Sequence, residues 1–209
     1  KSYVKDTGDF LRKINKLDNL PTDCLLVTLD VNSLYTNIPH YGGRRSVAAM
    51  LAERRPDEDS NPSNQTIIKL LTMVLEMNNF DFNGRHYLQV SGTAMGTRLA
   101  PSYANLYLGL FEETHVYTYP DQPAAWLRYI DDIFMAWILG RERLNRFLTH
   151  LNTRDENITF TSNISNTKLP FLDVAVTLKD GRLTTSLYTK PTDSHSYIRF
   201  DSCHPPHIK

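Results

Sequence analysis

Two adjacent carboxylates interrupt an apolar stretch of this chain. Asp131 and Asp132 lie within residues 126–137, a run that is otherwise rich in aromatic and aliphatic side chains. Buried carboxylates without partners are costly, so a single core strand does not explain them. Two short strands joined by a tight turn at the two aspartates do, because both charges are then held at a rigid hairpin tip. Such a tip suits a divalent cation, although an ordinary exposed Asp-Asp turn explains these few residues about as well.

A third carboxylate ends a separate β-prone segment. Residues 25–30 form an apolar run whose last residue is Asp30. A strand with an acid at its C-terminal end can aim that acid into a cleft from a rigid scaffold. Asp30 is distant in sequence from Asp131, but the two meet if their strands are neighbours in one sheet. Three converging carboxylates are what phosphoryl transfer with a pair of Mg²⁺ ions requires.

Several further motifs follow in the order that reverse transcriptases have. Residues 28–39 look like the first motif of the polymerase palm, residues 92–101 resemble the second, and residues 129–132 resemble the third. Residues 169–174 and 187–195 are similar to the primer grip and to the approach to the thumb. The amino-acid sequences of these motifs most resemble those of Penelope-like retroelement reverse transcriptases. The likeness runs from about residue 3 to the end of the sequence.

The resemblance implies an enzyme, an RNA-directed DNA polymerase in which a primer 3′-hydroxyl attacks a deoxynucleoside triphosphate. Its metal ligands would be Asp30, Asp131 and Asp132, and the backbone carbonyl of Val31 would complete one metal shell. The implied cofactors are two Mg²⁺ ions, with Mn²⁺ as a substitute, which suits donors that are all oxygen atoms. The implied partners are an RNA template, a DNA primer and a deoxynucleoside triphosphate.

Three residues are expected to contact the incoming nucleotide. In the family, an aromatic ring at the position of Tyr35 lies under the sugar and clashes with a ribose 2′-hydroxyl. Without the motif, Tyr35 would be interpreted as a half-buried core tyrosine. Met95 and Gly96 belong to a loop whose glycines let the backbone approach a base pair closely. For Met95, core packing is an equally good interpretation.

Other residues are candidates for contact with the template and primer. Phe171 and Leu172 resemble the primer grip, although their pattern is also that of core strand residues. Arg98 and Lys190 are candidates for phosphate contacts, with a solvated surface arginine as the alternative for the former. No general acid for the leaving pyrophosphate is identifiable, and Lys168 is only a guess.

Composition allows one well-buried domain. The chain has 209 residues, of which 41% are hydrophobic. Its 23 basic and 23 acidic residues cancel to a formal net charge of zero, which counts mildly against a nucleic-acid enzyme. No apolar run approaches the roughly 20 residues that span a membrane. Cys24 and Cys203 do not make a disulfide framework, and residues 202–207 offer too few ligands for zinc.

The order of the predicted elements suits an α+β fold, an antiparallel sheet backed by helices, and the resemblance implies that this fold is a polymerase palm. The expected helices and strands are helices at 2–17, 41–54, 66–77 (with Thr66 as N-cap), 101–116 and 141–152, a strand at 25–30, a hairpin at 80–90, and a β-rich tail that turns at 179–181. Residues 55–64 are expected to form a surface loop.

The resemblance also predicts the domain organisation and location. The whole chain would be one reverse transcriptase domain, with partial fingers at residues 1–24, the palm at about 25–178, and the start of the thumb connection at about 179–209. A retroelement enzyme implies a nuclear location. The alternative function is a domesticated remnant that binds nucleic acid without polymerising. An RNA-directed RNA polymerase is disfavoured because Tyr35 is bulky.

Overall fold

The computed structural model describes residues 1–53, 62–194, 196 and 198–206. Within these residues the strands are β1 (Leu25–Val31), β2 (Asn79–Phe82), β3 (Arg85–Leu88), β4 (Ala125–Tyr129), β5 (Asp132–Trp137), β6 (Phe160–Ser165), β7 (Lys168–Phe171), β8 (Val174–Lys179) and β9 (Arg182–Leu187). The helices are α1 (Thr7–Ile14), α2 (Leu34–Asn37), α3 (His40–Glu53), α4 (Asn64–Glu76), α5 (Ala100–Phe111) and α6 (Arg141–Leu151). A π-helical turn, Glu112–Val116, continues α5.

The central sheet has the strand order β4-β5-β1-β6, and each neighbouring pair is antiparallel. β1 and β5 are buried on both faces, because successive side chains alternate between two separate cores. Val27 and Ile133 belong to one core, which includes residues of α3, α4, α5 and α6. Leu26 and Phe134 belong to the other. The predicted antiparallel sheet backed by helices is confirmed.

The second face of the sheet is covered by α1 and by a smaller sheet of order β7-β8-β9. Three aromatic rings join these layers: Phe10 of α1 lies 4.6 Å from Phe171 of β7 and 5.3 Å from Phe134 of β5, measured between ring centroids. Aromatic pairs at such distances are stabilising beyond the area that they bury. This packing fixes the end of β7 against the central sheet.

The first predicted helix was too long. Residues 2–4 lie beside β4 instead, where the Val4 amide donates to the Arg128 carbonyl at 2.7 Å. The helix begins only after Asp6, whose side chain accepts a hydrogen bond from the Asp9 amide at 2.7 Å and so caps α1. The amphipathic pattern of residues 2–17 gave no indication that the helix begins only at this cap.

Further differences concern helix ends. Ser63, not Thr66, is the N-cap of α4, because the Ser63 hydroxyl accepts from the Thr66 amide at 3.2 Å. The short helix α2 was missed, and most of the predicted loop at 55–64 lies outside the described residues. The hairpin at Asn83-Gly84 is confirmed, with both residues at positive φ as a two-residue turn requires.

None of the helices in the described part of the chain is both long and apolar enough to cross a membrane.

Candidate active site

The predicted carboxylates meet at one end of the central sheet. Asp30 of β1 lies directly opposite Asp132 of β5 in the antiparallel register. By strand alternation both side chains project from the same sheet face as Leu26 and Phe134, the face opposite the main helices. Asp131, the residue before Asp132, lies in the β4–β5 turn, and its carbonyl accepts a hydrogen bond from the Val31 amide at 3.2 Å. Two pairs of adjacent residues, which lie in distant parts of the sequence, are therefore gathered at one place.

The turn itself differs from the prediction. Its two central residues are Ile130 and Asp131, whereas Asp132 already belongs to β5 and pairs with Tyr129. The two aspartates therefore do not form the turn together, because strand pairing extends one residue further than expected. Ile130 has φ +54°, a conformation that is unfavourable for a β-branched residue. Strain of this kind costs about 1–3 kcal/mol and collects at functional sites.

Burial and mutual repulsion raise the pKa of two of these carboxyls. Burial raises the pKa of Asp132 to about 6, helped by the negative charges of Asp131 and Asp30 and opposed by Lys190. Burial also raises the pKa of Asp30, and the charge of Asp131 adds to the shift. Without a cation, the site therefore holds carboxylates that repel one another.

The donor set fits a hard divalent cation, although it does not form a complete cage. Across the described residues, no group of three or more His, Cys, Asp or Glu side chains is arranged to hold a metal ion by itself. Mg²⁺ sites of this kind ordinarily use one or two carboxylates together with waters and substrate phosphates. The repulsion between Asp30, Asp131 and Asp132 is the kind that a bound cation relieves.

Tyr35 lies beside this carboxylate cluster. It belongs to α2, which follows β1 through Ser33 at φ +49°. Burial raises the pKa of Tyr35, and Asp131 and Tyr129 contribute to the shift, which places the phenol within electrostatic range of the turn. The residue is only partly buried and packs against the core on the helical side of the sheet.

The Gly92–Gly96 loop packs directly on α2. The Thr93 amide donates to the Tyr35 carbonyl at 2.6 Å, and a ring nitrogen of His40 lies 2.8 Å from the Gly92 carbonyl oxygen. Gly92 has φ +72°, and a Cβ at this position would lie 2.6 Å from the backbone of Thr36. Only glycine fits this contact, so it fixes the loop relative to Tyr35.

The exposed end of that loop carries the other predicted nucleotide-binding residues. Met95 is 71% exposed, so the alternative that it is a core residue is wrong. Gly96 has φ +91° with open space where a Cβ would lie, and Arg98 is also exposed. These three residues form an accessible surface next to the N-terminus of α5.

The predicted primer-grip residues divide between core and surface. The Phe171 side chain is buried among Phe10 and Phe134, so only its main chain is left for a substrate. Leu172 follows in the β7–β8 turn, partly buried and at φ +53°. Lys190 is exposed, and its positive charge lowers the pKa of Asp132, so it lies within electrostatic range of the carboxylates.

Two buried charged residues beneath the turn were missed. Arg128 and Glu112 are both almost completely buried and form an ion pair with a 2.7 Å contact. The sequence did contain an indication of this pair. An arginine lies within the apolar strand β4 and a glutamate follows the apolar helix α5, and charged residues in such segments are rarely buried unless they are paired. In the tail, Cys203 is exposed and His207 lies outside the described residues.

This sheet, with its carboxylates at the strand end and helices behind it, defines the palm of a nucleic-acid polymerase. The model of the family described as reverse transcriptase (RNA-dependent DNA polymerase) matches residues 2–178. The chain therefore belongs to the reverse transcriptase family.

Solved polymerases share the fold at low sequence identity. Apo telomerase from Candida Tropicalis, truncated from its C-terminal domain, matches with a TM-score of 0.70 and 13% identity over 89% of this chain and 41% of that one. The RNA-dependent RNA polymerase of a human picobirnavirus matches with a TM-score of 0.64 and 10% identity over 88% of this chain and 35% of that one. The chain thus spans less than half the length of either. A search of curated proteins found no match.

Proposed function

We propose that this chain is the palm of an RNA-directed DNA polymerase of the Penelope-like kind, which adds deoxynucleotides to a primer 3′-hydroxyl. The observation that carries the proposal is the pairing of Asp30 with Asp132 beside Asp131 at the β4–β5 turn. Membership of the reverse transcriptase family supports it. The Penelope-like assignment rests on the amino-acid sequences of the motifs in residues 28–39, 92–101 and 129–132.

In this proposal Asp30 and Asp131 are the principal metal ligands, with Asp132 close by and the Val31 carbonyl completing one shell. Two divalent cations held there would activate the primer hydroxyl and neutralise the charge that develops on the transferred phosphoryl group. The protein's own contribution is positioning, because the sheet register fixes Asp30 against Asp132 and the turn holds Asp131 next to them.

Tyr35 is proposed to select deoxyribose. Its ring belongs to α2, within electrostatic range of Asp131, and the contact between Gly92 and the α2 backbone fixes its position. A rigid ring beside the metal-binding carboxylates would clash with a 2′-hydroxyl. Discrimination of this type distinguishes a DNA polymerase from an RNA polymerase that has a similar palm.

The nucleic-acid contacts are assigned to exposed residues around this cleft. Met95 and Gly96 would face the incoming nucleotide, Arg98 and Lys190 would contact phosphates, and the turn at Phe171 and Leu172 would approach the primer through its main chain. A Lys190 ammonium close to Asp132 also suits the negatively charged substrate groups that gather at such a site.

Primer extension tests the proposal. We would compare this chain, a longer protein that contains it, and the Asp131→Asn variant of each, on an RNA template with deoxynucleotides and Mg²⁺. Extension by an active protein but not by its Asp131→Asn variant is the expected result. If neither protein extends but the folded chain still binds template and primer, the domesticated binding module is the better description and the proposal fails.

A further inference from the structure

Arg128 makes a complete set of hydrogen bonds beneath the catalytic turn. Its Nε donates to Glu112 Oε1 at 2.7 Å, and its Nη2 donates to Glu112 Oε2 at 3.4 Å and to the Asn105 carbonyl at 3.3 Å. Its Nη1 donates to Asn105 Oδ1 at 2.7 Å and to the Ile130 carbonyl at 3.1 Å. A guanidinium has five N–H groups, and all five are used here.

Glu112 anchors this guanidinium from the π-helical turn. One of its oxygens also accepts from Trp126 Nε1 at 2.7 Å, and the other accepts from the Ser2 hydroxyl. Both charged side chains are nearly inaccessible, at 3% for Arg128 and 5% for Glu112. A buried ion pair needs its donors and acceptors to be hydrogen-bonded, because these bonds offset the cost of removing both charges from water. The same bonds leave the Arg128 side chain little freedom to move.

The Ile130 carbonyl links this network to the catalytic residues. Ile130 is the first central residue of the β4–β5 turn and has a left-handed conformation that a β-branched side chain disfavours. Arg128 donates a hydrogen bond to the Ile130 carbonyl, and the Val31 amide of β1 donates one to the Asp131 carbonyl, with a donor–acceptor distance of 3.2 Å. Both carbonyls of the turn are therefore fixed, one on each side of the Asp131 peptide.

We propose that Arg128, anchored by Glu112 and Asn105, is a positioning residue that imposes the conformation of the catalytic turn and thereby orients the Asp131 carboxylate. The inference rests on the proposed function, because Asp131 matters only if it binds metal. Arg128 is not a catalytic residue: by strand alternation it lies on the helical face of the sheet, opposite the face that carries Asp30 and Asp132.

The geometry requires a guanidinium, not merely a positive charge. Lysine has three donors on a single nitrogen, so it cannot reach Glu112, Asn105 and the Ile130 carbonyl from the separate positions that Nε, Nη1 and Nη2 occupy. Arg128→Lys keeps the charge beside Glu112 but releases the turn. Asn105→Ala is the milder change, since it removes the Oδ1 acceptor that steadies Nη1.

Two measurements on the full chain test this inference without relying on turnover. The first is Mn²⁺ affinity, measured from the electron paramagnetic resonance signal of free Mn²⁺. The second is amide hydrogen exchange in peptides that cover residues 129–133. Arg128→Lys is expected to weaken Mn²⁺ binding by about tenfold or more, as loss of a supporting partner commonly does, and to speed exchange at the turn. Asn105→Ala should change both in the same direction by less.

Tyr107→Phe is the matched control. It lies on α5 like Asn105, and it removes a 2.6 Å hydrogen bond to Asp155 that has no connection to the turn. Mn²⁺ affinity and exchange at residues 129–133 should be unchanged in this variant, even if its melting temperature falls. A purely structural role for Arg128 would make its variants behave like this control.

The outcomes separate the inference from the proposed function. If Asp131→Asn abolishes Mn²⁺ binding but folded Arg128→Lys binds as well as wild type, the inference is overturned and the metal site stands. If wild type and Asp131→Asn bind Mn²⁺ equally weakly, the metal site and the inference both fail. If Arg128→Lys does not fold, Asn105→Ala decides, because unchanged affinity and unchanged exchange at the turn in that variant overturn the inference.

Discussion

Asp30 and Asp132 lie directly opposite each other across the β1–β5 pair. Like charges in directly opposed positions of an antiparallel pair destabilise the sheet. Here Asp131 adds a third charge from the adjoining turn, and burial, assisted by repulsion from neighbouring carboxylates, raises the pKa values of Asp30 and Asp132. The strand register therefore imposes a local electrostatic cost that a simple core would avoid, and a bound cation is the natural source of compensation.

The first prediction concerns stability without metal. Asp132→Asn should raise the free energy of unfolding at pH 7 by on the order of 1 kcal/mol, because it removes a charge whose pKa burial and repulsion raise to about 6. A carboxyl with a raised folded pKa takes up its proton more readily in the folded state. Wild-type stability should therefore rise as the pH falls from about 6 towards the ordinary value of 3.8.

Urea unfolding of both proteins at pH 7 and pH 4, with a chelator present, checks this prediction. The advantage of Asp132→Asn should be largest at pH 7 and should shrink at pH 4, where the folded wild-type carboxyl is largely protonated and no longer carries the charge that the variant removes. Adding Mn²⁺ at pH 7 should stabilise the wild type more than the variant, since binding to the folded state adds stability by mass action. An advantage of equal size at both pH values would contradict the electrostatic explanation.

The second prediction concerns the choice of sugar. Tyr35→Ala should reduce discrimination against ribonucleotides by on the order of tenfold or more, because a steric contact with the 2′-hydroxyl is lost. Tyr35→Phe keeps the ring and should discriminate as the wild type does. Single-nucleotide incorporation by the extending protein measures both. Undiminished exclusion of ribonucleotides by Tyr35→Ala would refute the assignment of Tyr35.

The sequence predicted the parts of the site that depend on chain-local patterns. The β1 strand, the β4–β5 hairpin and the turn at Asn83-Gly84 were all recognisable, because apolar runs and turn residues determine them locally. The motifs then suggested that Asp30 and Asp131 meet, although composition and periodicity alone do not specify which strands become neighbours.

Contacts between distant segments could not be predicted in this way. The bonds from Arg128 to Asn105 and Glu112 join residues that are 23 and 16 positions apart, and no periodicity encodes them. The edge pairing of residues 2–4 with β4 was missed for the same reason, since a helical pattern near the N-terminus concealed it. Likewise, the one-residue extension of β5 that places Asp132 in a strand follows from pairing with β1.

The third prediction separates steric fit from backbone conformation in the motif loop. Gly92 and Gly96 both have positive φ, but a Cβ on Gly92 would lie 2.6 Å from the Thr36 backbone, whereas Gly96 has open space. Gly96→Ala should cost about 1–2 kcal/mol of stability from conformation alone. Gly92→Ala should cost about 1–3 kcal/mol more, because the α2 backbone must move. Equal midpoints of urea unfolding for the two variants would show that the contact with α2 is unimportant.

The last prediction concerns two tyrosines on α5. The Tyr103 hydroxyl is buried against Gly43 and has no hydrogen-bond partner within the described residues, and burial raises its pKa to about 12. The Tyr107 hydroxyl is also largely buried but donates to Asp155 at 2.6 Å. An unpaired buried hydroxyl contributes only its desolvation cost, whereas a paired one contributes about 1–2 kcal/mol when it bonds a charged group.

Tyr103→Phe should therefore leave stability unchanged or slightly increased, and Tyr107→Phe should lower it by about 1–2 kcal/mol. Thermal and urea unfolding of both variants provide the comparison, and a loss at Tyr103 as large as that at Tyr107 would mean that the Tyr103 hydroxyl has a partner in solution.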